Sequence, residues 1–355
     1  MKKARVIYNP TSGKELVKKN LADILSVLEE CGYEASAFAT TPAENSAKNE
    51  AQRVAELGFE LIVAAGGDGT INEVVNGIAP LENRPKMAII PAGTTNDYAR
   101  ALKIPRDDIV KAANVIKKNQ TVKMDIGKAG SNYFINIAAG GHLTELTYEV
   151  PSELKSIFGY LAYLAKGAEL LPRVKPIKMR MTYDEGVYEG GASMFFLGLT
   201  NSVGGFEQIA PDAKLDDGKF SLIIVKTANV FEILHLAALM LNGGKHVEDS
   251  RLIYTKTSYL YAETLEENNR MMINLDGEYG GDAPMEFTNF HQHIEMFANA
   301  DAIPSNAIMG SILGEYAEED DEDEYTTASK EFVKEVEKLT DEDIDGDGTI
   351  AGQEK

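Results

Sequence analysis

Cys31 is the only cysteine in 355 residues, so no intrachain disulfide can form and the chain suits a reducing compartment. No run approaches the roughly 18 apolar residues that a membrane-spanning helix needs. Met1-Lys2-Lys3-Ala4-Arg5 resembles the charged start of a signal peptide, but Val6-Ile7-Tyr8 passes straight into Asn9-Pro10. No apolar segment follows, and secretion is not expected. Basic charge is scarce too, with 35 Lys and Arg against 56 Asp and Glu and a formal charge of −21. From residue 311 onward 17 acids face 4 lysines, so −13 belongs to the tail and −8 to the first 310 residues. That balance excludes bulk nucleic-acid binding, which needs a basic face. Contact with an anionic membrane would need a local basic patch.

Apolar residues make up 44% of the chain, enough for a sizeable core, and the length suits two domains. The first 125 residues alternate strand-like segments (5–8, 34–39, 61–65, 87–90) with helix-like ones (16–30, 43–56, 70–78, 96–102). The continuous apolar run at 61–65 reads as a buried parallel strand. The alternation predicts a Rossmann-like parallel α/β domain, with function in loops at the carboxyl ends of strands. Beyond about residue 122 the strand-like runs are 123–126, 133–138, 178–183, 194–199, 220–225, 252–260 and 271–275. With helical stretches near 153–171 and 229–241, they predict a mainly antiparallel β-sandwich domain. The run 293–297 fits either domain. The expected division is therefore 1–125 with about 293–313, then 126–292, then an acidic flexible tail, 314–355. Seven consecutive acids at 318–324 predict disorder, and 329–339 predicts a short helix.

Three glycine-rich loops follow three of the predicted strands: Asn9-Pro10-Thr11-Ser12-Gly13, Gly66-Gly67-Asp68-Gly69-Thr70 and Pro91-Ala92-Gly93-Thr94-Thr95-Asn96-Asp97. Glycine lets the backbone approach a phosphate, and the loop N–H groups can point at it. Ser12, Thr70 and Thr94 add hydroxyl donors, and a helix opening at Thr70 offers its N-terminus to an anion. Neither a Walker A loop nor the Gly-x-Gly-x-x-Gly dinucleotide fingerprint is present here. Asp68 and Asp97 sharpen the reading, because a carboxylate in a phosphate cradle repels the ligand unless a cation lies between. Mg²⁺ bridging ATP phosphates satisfies that condition. Taken singly, Gly-Gly-Asp-Gly is a tight turn and Asp97 a helix cap; taken together, the loops point to a nucleotide.

Gly66-Gly67-Asp68-Gly69-Thr70-Ile71-Asn72-Glu73 with Pro91-Ala92-Gly93-Thr94-Thr95-Asn96-Asp97 resembles the diacylglycerol kinase catalytic-domain family, which is related to sphingosine, ceramide and NAD kinases. The resemblance continues through Asn201–Phe206, the run Pro211-Asp212-Ala213-Lys214-Leu215-Asp216-Asp217-Gly218, and Asp276-Gly277-Glu278, and so covers about residues 1–300. It implies a cytoplasmic enzyme, peripheral to the inner face of the plasma membrane. This enzyme would move the γ-phosphate of ATP onto diacylglycerol in a cleft between its two domains. By the same resemblance Asn9, Pro10, Thr11, Ser12, Gly13, Thr40, the run Gly66 to Asn72 and Thr94 hold ATP. Asp68 and Asp97 organise Mg²⁺, and Glu278 is the general base. An ordinary Asp-Gly hairpin with solvated acids is the competing reading at 276–278. A structural Mg²⁺ is implied at the Lys214 and Lys219 carbonyls and the Asp217 side chain, where an acidic turn is the plainer alternative. Homodimerisation is implied by the resemblance alone.

Residues 154–180 combine Lys155, Lys166, Arg173, Lys175, Lys178 and Arg180 with apolar Ile157, Phe158, Tyr160, Leu161, Tyr163 and Leu164. They read as an interfacial lipid patch or as a core helix with solvated lysines. His291 and His293 read as surface residues without a third metal ligand, Cys31 as packing, and the methionines as core fillers. Asp343, Asp345, Asp347, Gly348, Ile350 and Glu354 match an EF-hand loop, but no exiting helix and no partner hand follow. A weak Ca²⁺ or Mg²⁺ site is expected there. Two other functions compete: a kinase of a different acceptor (a sphingoid base or NAD), and a non-catalytic nucleotide- or calcium-binding protein.

Overall fold

The apolar run at 61–65 becomes the centre of a parallel sheet. In the computed structural model, residues 2–141, 176–201, 209–266, 269–309, 324–345, 347 and 350–351 are described. The chain forms two compact units. The first comprises Met1–Asn136, Lys214–Lys219 and Phe287–Tyr316, and the second Ile137–Ala213, Phe220–Glu286 and Ala317–Lys355. The sequence division fell at 125/126 and 292/293, and the 214–219 turn lies in the first unit rather than in the central segment.

In the first unit, β1 (Lys2–Tyr8), β2 (Tyr33–Ala39), β3 (Leu61–Gly66) and β4 (Lys86–Pro91) run parallel in the order β2-β1-β3-β4. All six residues of β3 are buried, as a strand covered on both faces must be. The C-terminal part of β15 (Met285–Phe297) joins β4 in parallel at Met296. Antiparallel β5 (Thr121–Ala129) pairs with β15, and β6 (Asn132–Phe134) pairs with β5. The predicted helix at 16–30 is two helices, α1 (Leu16–Lys19) and α2 (Leu21–Glu30). They part at Asn20, whose side chain donates to the Leu16 carbonyl and competes with the helical ladder. Ile24, Val27 and Leu28 of α2 face the core, each contributing about 1.5–3 kcal/mol. Helices α3 (Ser46–Glu56) and α4 (Asp68–Ile78) pack together. Short α5 (Asp97–Ala101) and α6 (Ile109–Asn114) follow β4. Asn76 of α4 is buried, and its amide donates to the Tyr133 carbonyl while its oxygen accepts the Tyr133 N–H, both at 2.8 Å. That exchange fixes α4 against β6.

The second unit is built on a long strand, β9 (Gly186–Gly198). Its first half pairs with β8 (Ile177–Tyr183), and its second half with β7 (Ile137–Gly141) and β10 (Phe220–Lys226), all antiparallel. The predicted run 252–260 is two strands, β11 (Leu252–Thr257) beside β10 and β12 (Tyr259–Thr264) beside β8. They part at Ser258, whose N–H and hydroxyl are taken by the Asp184 carboxylate. Likewise 133–138 is divided between β6 in the first unit and β7 in the second. β13 (Met272–Leu275) lies beside β7 and forms a hairpin with β14 (Glu278–Asp282).

Helix α7 (Val230–Leu241) opens with an Asn229–Glu232 capping box and carries only Glu232 and His235 as polar residues. A helix that is apolar all round needs cover on more than one side. Helix α8 (Glu324–Thr340) provides part of it. Phe332, Val333, Val336 and the following Ile344 share a core cluster with Ile233, Leu234 and Leu236 of α7. His235 Nδ1 lies 2.7 Å from the Glu342 carboxylate, and Asn242 donates to the Ile344 carbonyl. Residues 324–345, grouped with the acidic tail on sequence, are thus folded onto the second unit.

The predicted helix at 153–171, most of the 154–180 patch and the acids 318–323 lie outside the described residues. Lys178 and Arg180 stand on β8, and Arg180 pairs with Glu189 and Glu263. Among the described residues, no helix is long and apolar enough to cross a membrane.

Asn76→Ala removes the partner of the buried Tyr133 N–H and leaves its carbonyl only the 3.3 Å bond from Asn72, and the expected loss is about 1–3 kcal/mol in urea denaturation. A loss below about 0.5 kcal/mol would show that water replaces the amide.

Candidate functional site

The three glycine-rich loops leave the carboxyl ends of β1, β3 and β4, which are neighbours in the sheet, and so they meet. In the first loop the Asn9 N–H extends the β3 ladder to the Ala65 carbonyl, and the Asn9 side-chain oxygen accepts from the Thr11 N–H and hydroxyl. Gly13 takes φ +56°, and a Cβ there would lie 3.2 Å from the Ala92 carbonyl of the third loop. Lys14 and Glu15 continue in the left-handed region at φ 55° and 65°.

The second and third loops meet still more closely. A Cβ on Gly93 would lie 2.7 Å from the Cα of Gly67, so neither position has room for a side chain facing the other. Asn96, itself left-handed at φ 49°, holds Gly93 by accepting its N–H at 2.8 Å and donating to its carbonyl at 3.0 Å. The Asp68 carboxylate crosses between the loops and accepts from the Thr95 hydroxyl at 2.7 Å and the Asn96 N–H at 3.1 Å.

α4 starts at Asp68, two residues before the predicted start, with Gly67 as its N-cap. Asp68 therefore stands in the first turn, where a carboxylate is favoured by the helix dipole. Gly69 and Thr94 are exposed, and the Thr70 hydroxyl turns back toward Gly66. Ile71 is fully buried, so its side chain supports the loop from beneath. Asn72 donates to the Tyr133 carbonyl at 3.3 Å. Asp97 is buried in the first turn of α5, and the half-buried Thr40 continues the edge of β2 by donating its N–H to the Tyr8 carbonyl. The structure thus brings together Asn9, Pro10, Thr11, Ser12, Gly13, Gly66, Gly67, Asp68, Thr94 and Asp97 on one sheet end. Thr95 and Asn96 were quoted only as part of a motif, and their bonds to Asp68 and Gly93 make them part of the site's frame.

The 214–219 turn is fixed by a residue the sequence reading passed over. Asp125 of β5 is 1% exposed and accepts N–H groups from Gly218 and Gln292. Burial pushes its carboxyl above the usual range, against those two N–H donors and with Asp217 adding repulsion. The Asp217 carboxylate and the backbone carbonyls of the turn are oxygen donors of the kind a hard cation takes, so the residues fit the implied metal. Asp217 accepts the Lys219 N–H, and Asp216 accepts the Met309 N–H. His291 is exposed, as its reading as a surface residue has it, and His293 is half-buried. His291 Nε2 lies 2.8 Å from the Asp216 carbonyl and His293 Nε2 2.8 Å from the Ala79 carbonyl, with Gln292 bulged at φ 48° between them.

In the second unit, Asp276 and Gly277 form the predicted tight turn, at φ 50° and 94°. Asp276 exchanges two 2.9 Å hydrogen bonds with the backbone of Ile137, which anchors the turn to β7. Glu278, the first residue of β14, is exposed. At the C-terminus, carboxylate oxygens of Glu337, Asp343 and Asp345 lie within 4.8 Å of one another, and Glu337 also caps the Ile344 and Asp345 N–H groups. Asp347 is exposed nearby in sequence, and Glu354 lies outside the described residues.

Residues 3–129 match the model of the diacylglycerol kinase catalytic domain, and residues 146–298 match the YegS C-terminal NAD kinase beta sandwich-like domain. The diacylglycerol kinase of Bacillus subtilis is 52% identical over 296 residues, 83% of this chain and 96% of its own. That of Staphylococcus aureus is 50% identical over 307 residues, 86% of this chain and 96% of its own. A crystal structure of a diacylglycerol kinase from Bacillus anthracis aligns with TM-score 0.64 at 26% identity, covering 84% of this chain and 97% of that one. The chain belongs to the diacylglycerol kinase family, and its enzymatic class is that of a kinase.

Gly93→Ala forces the second and third loops apart, whatever the ligand. Turnover of the folded kinase is expected to fall at least tenfold, on the order of 1.4 kcal/mol. Unchanged turnover would mean that the loops are not part of the active centre.

Proposed function

We propose that this chain transfers the γ-phosphate of ATP to the hydroxyl of diacylglycerol at a membrane surface, forming phosphatidic acid. The observation that carries this reading is the meeting of three glycine-rich loops around the carboxylate that joins two of them, Asp68. The similarity to diacylglycerol kinases over nearly their full length supports the choice of lipid acceptor.

In this reading the backbone of 9–13 and 66–72, with the Thr94 hydroxyl and Thr40, holds the nucleotide. Asp68 and Asp97 would hold Mg²⁺, which when bound neutralises charge on the phosphates. Thr95 and Asn96 aim the Asp68 carboxylate through two donated hydrogen bonds. Glu278 takes the proton of the attacking hydroxyl, and the rigid Asp276-Gly277 turn holds it at the start of its strand. The Lys214 and Lys219 carbonyls with the Asp217 side chain would hold a second, structural Mg²⁺, and Asp125 fixes their turn. The enzyme would work in the cytoplasm, in peripheral contact with the membrane and as a homodimer.

A calcium-binding role for the tail is favoured by the converging oxygens of Glu337, Asp343 and Asp345. Asp347 and Glu354 would complete the ligand set in the EF-hand order.

Phosphate transfer from ATP to dioleoylglycerol in mixed micelles, with sphingosine and NAD as alternative acceptors, tests the principal reading. The expected product is phosphatidic acid, abolished in Asp68→Ala. In Glu278→Gln turnover is expected to drop about 10²–10⁴-fold with the KM for ATP little changed. Wild-type turnover in that variant would remove the base assignment, and a preferred NAD or sphingosine product would replace the acceptor. For the tail, equilibrium dialysis with radiolabelled calcium is expected to show one site that Asp343→Asn with Asp345→Asn removes. Equal binding by both proteins would exclude it.

A further inference from the structure

Helix α3 lacks a cap of its own. Its N-cap residue, Asn45, is left-handed at φ 58°, and its side chain makes no capping bond. The N–H groups of Ala47 and Lys48 are instead taken by Oε2 of Glu73, at 2.9 and 3.4 Å. Glu73 belongs to α4, the helix that begins in the phosphate loop at Asp68. A carboxylate at a helix N-terminus meets both unsatisfied donors and a favourable dipole.

The same two helices touch backbone to backbone one turn further on. A Cβ on Gly77 would lie 2.4 Å from the Lys48 carbonyl, so glycine is what allows the approach. Residues 73 and 77 share one face of α4, four positions apart. The other side of α4 is held by Asn76 on Tyr133. α4 is thus a fixed strut, and the start of α3 is fixed to it.

The connection continues into the loop before α3. Ser46, the first residue of α3, accepts the Thr41 N–H at 3.0 Å and lies 3.3 Å from the Thr41 hydroxyl. Thr40 is the next residue and is itself tied to Tyr8 at the end of β1. An unbroken path of hydrogen bonds and helix therefore runs from Asp68 through Glu73, Ala47, Ser46 and Thr41 to Thr40.

We propose that Glu73 is a positioning residue for the nucleotide. It sets the spacing between the Gly66–Thr70 phosphate loop and the loop carrying Thr40, so that both engage one ATP molecule. This rests on the reading above that both loops contact the nucleotide. A ligand held at two places loses affinity when their separation drifts, even though each contact remains chemically intact. The effect belongs in the KM for ATP rather than in kcat, because Glu73 lies in a helix behind the loops and touches no reacting atom.

Steady-state kinetics in mixed micelles at varied ATP, with thermal unfolding of each protein, decide the point. Glu73→Ala is expected to raise the KM for ATP about tenfold with kcat within about twofold. Glu73→Gln keeps a side-chain oxygen able to accept the Ala47 N–H, and its KM is expected to stay within about threefold of wild type. Glu73→Asp, one methylene shorter, is expected between them and remains informative where the alanine variant fails to fold. A lower melting temperature in Glu73→Ala with an unchanged KM would mean a purely structural cap and would overturn the proposal. Thr40→Ala, assayed alongside, separates the two readings. A raised KM there with an unchanged KM in Glu73→Ala keeps the nucleotide role of the loop and removes that of Glu73. An unchanged KM in both removes both.

Discussion

The loop end of the parallel sheet depends on one close approach, that of Gly67 to Gly93. Two loops from adjacent parallel strands come so near that no side chain fits between them. Once they are there, the Asp68 carboxylate can reach across to the Thr95 hydroxyl and the Asn96 N–H. The acid is then fixed in position by the very loop it would help to organise. Strand order supplies the proximity, glycine removes the steric barrier, and the hydrogen bonds select one geometry. The left-handed conformations of Gly13, Lys14, Glu15 and Asn96 cluster around the same point. Strained backbone of this kind persists where surrounding structure fixes it, and functional sites are where it concentrates.

The loops and their order were legible in the sequence because both signals are local. A buried parallel strand is an apolar run, and a phosphate-type loop is a run of glycine and hydroxyl residues directly after it. What escaped was non-local. Asp125 meets its two donors 93 and 167 residues away, and Glu73 caps a helix that begins 27 residues before it. Asn76 and Tyr133 are 57 apart. No periodicity reports such pairs, since each acid or amide looks like any other polar residue on a helix or strand. The misplaced element boundaries have the same origin. Asn20 and Ser258 interrupt patterns that remain apolar on both sides, through side-chain or backbone bonds that hydropathy does not register.

The site residues differ in kind as a result. Gly66, Gly67, Asp68 and Thr94 are proposed from their chemistry alone. The role proposed for Glu278 rests on resemblance, because an exposed glutamate after an Asp-Gly turn carries no chemical signature of its own. The turn nevertheless explains how such a residue can be precise. Asp276 commits its carboxylate and its N–H to Ile137, so the hairpin cannot pivot about β7. Precision at Glu278 then costs no burial and leaves the carboxylate in contact with solvent.

The C-terminal segment shows how a strongly acidic stretch can still be anchored. It lies beyond both matched family regions, the second of which ends at residue 298. Its charges repel one another and favour extension in water. Yet α8 places Phe332, Val333 and Val336 on one face, spaced for a helix, and Ile344 follows. Each fully buried side chain of this type contributes about 1.5–3 kcal/mol, against exposed like-charge contacts of a few tenths each. The apolar face therefore wins, provided that a partner surface exists, and the nearly polar-free α7 provides it. Glu337 then sits buried at the end of α8 with the Ile344 and Asp345 N–H groups on its carboxylate. The loop's acids are consequently gathered by packing against the second unit, with no exiting helix and no paired hand needed to hold their first half in place.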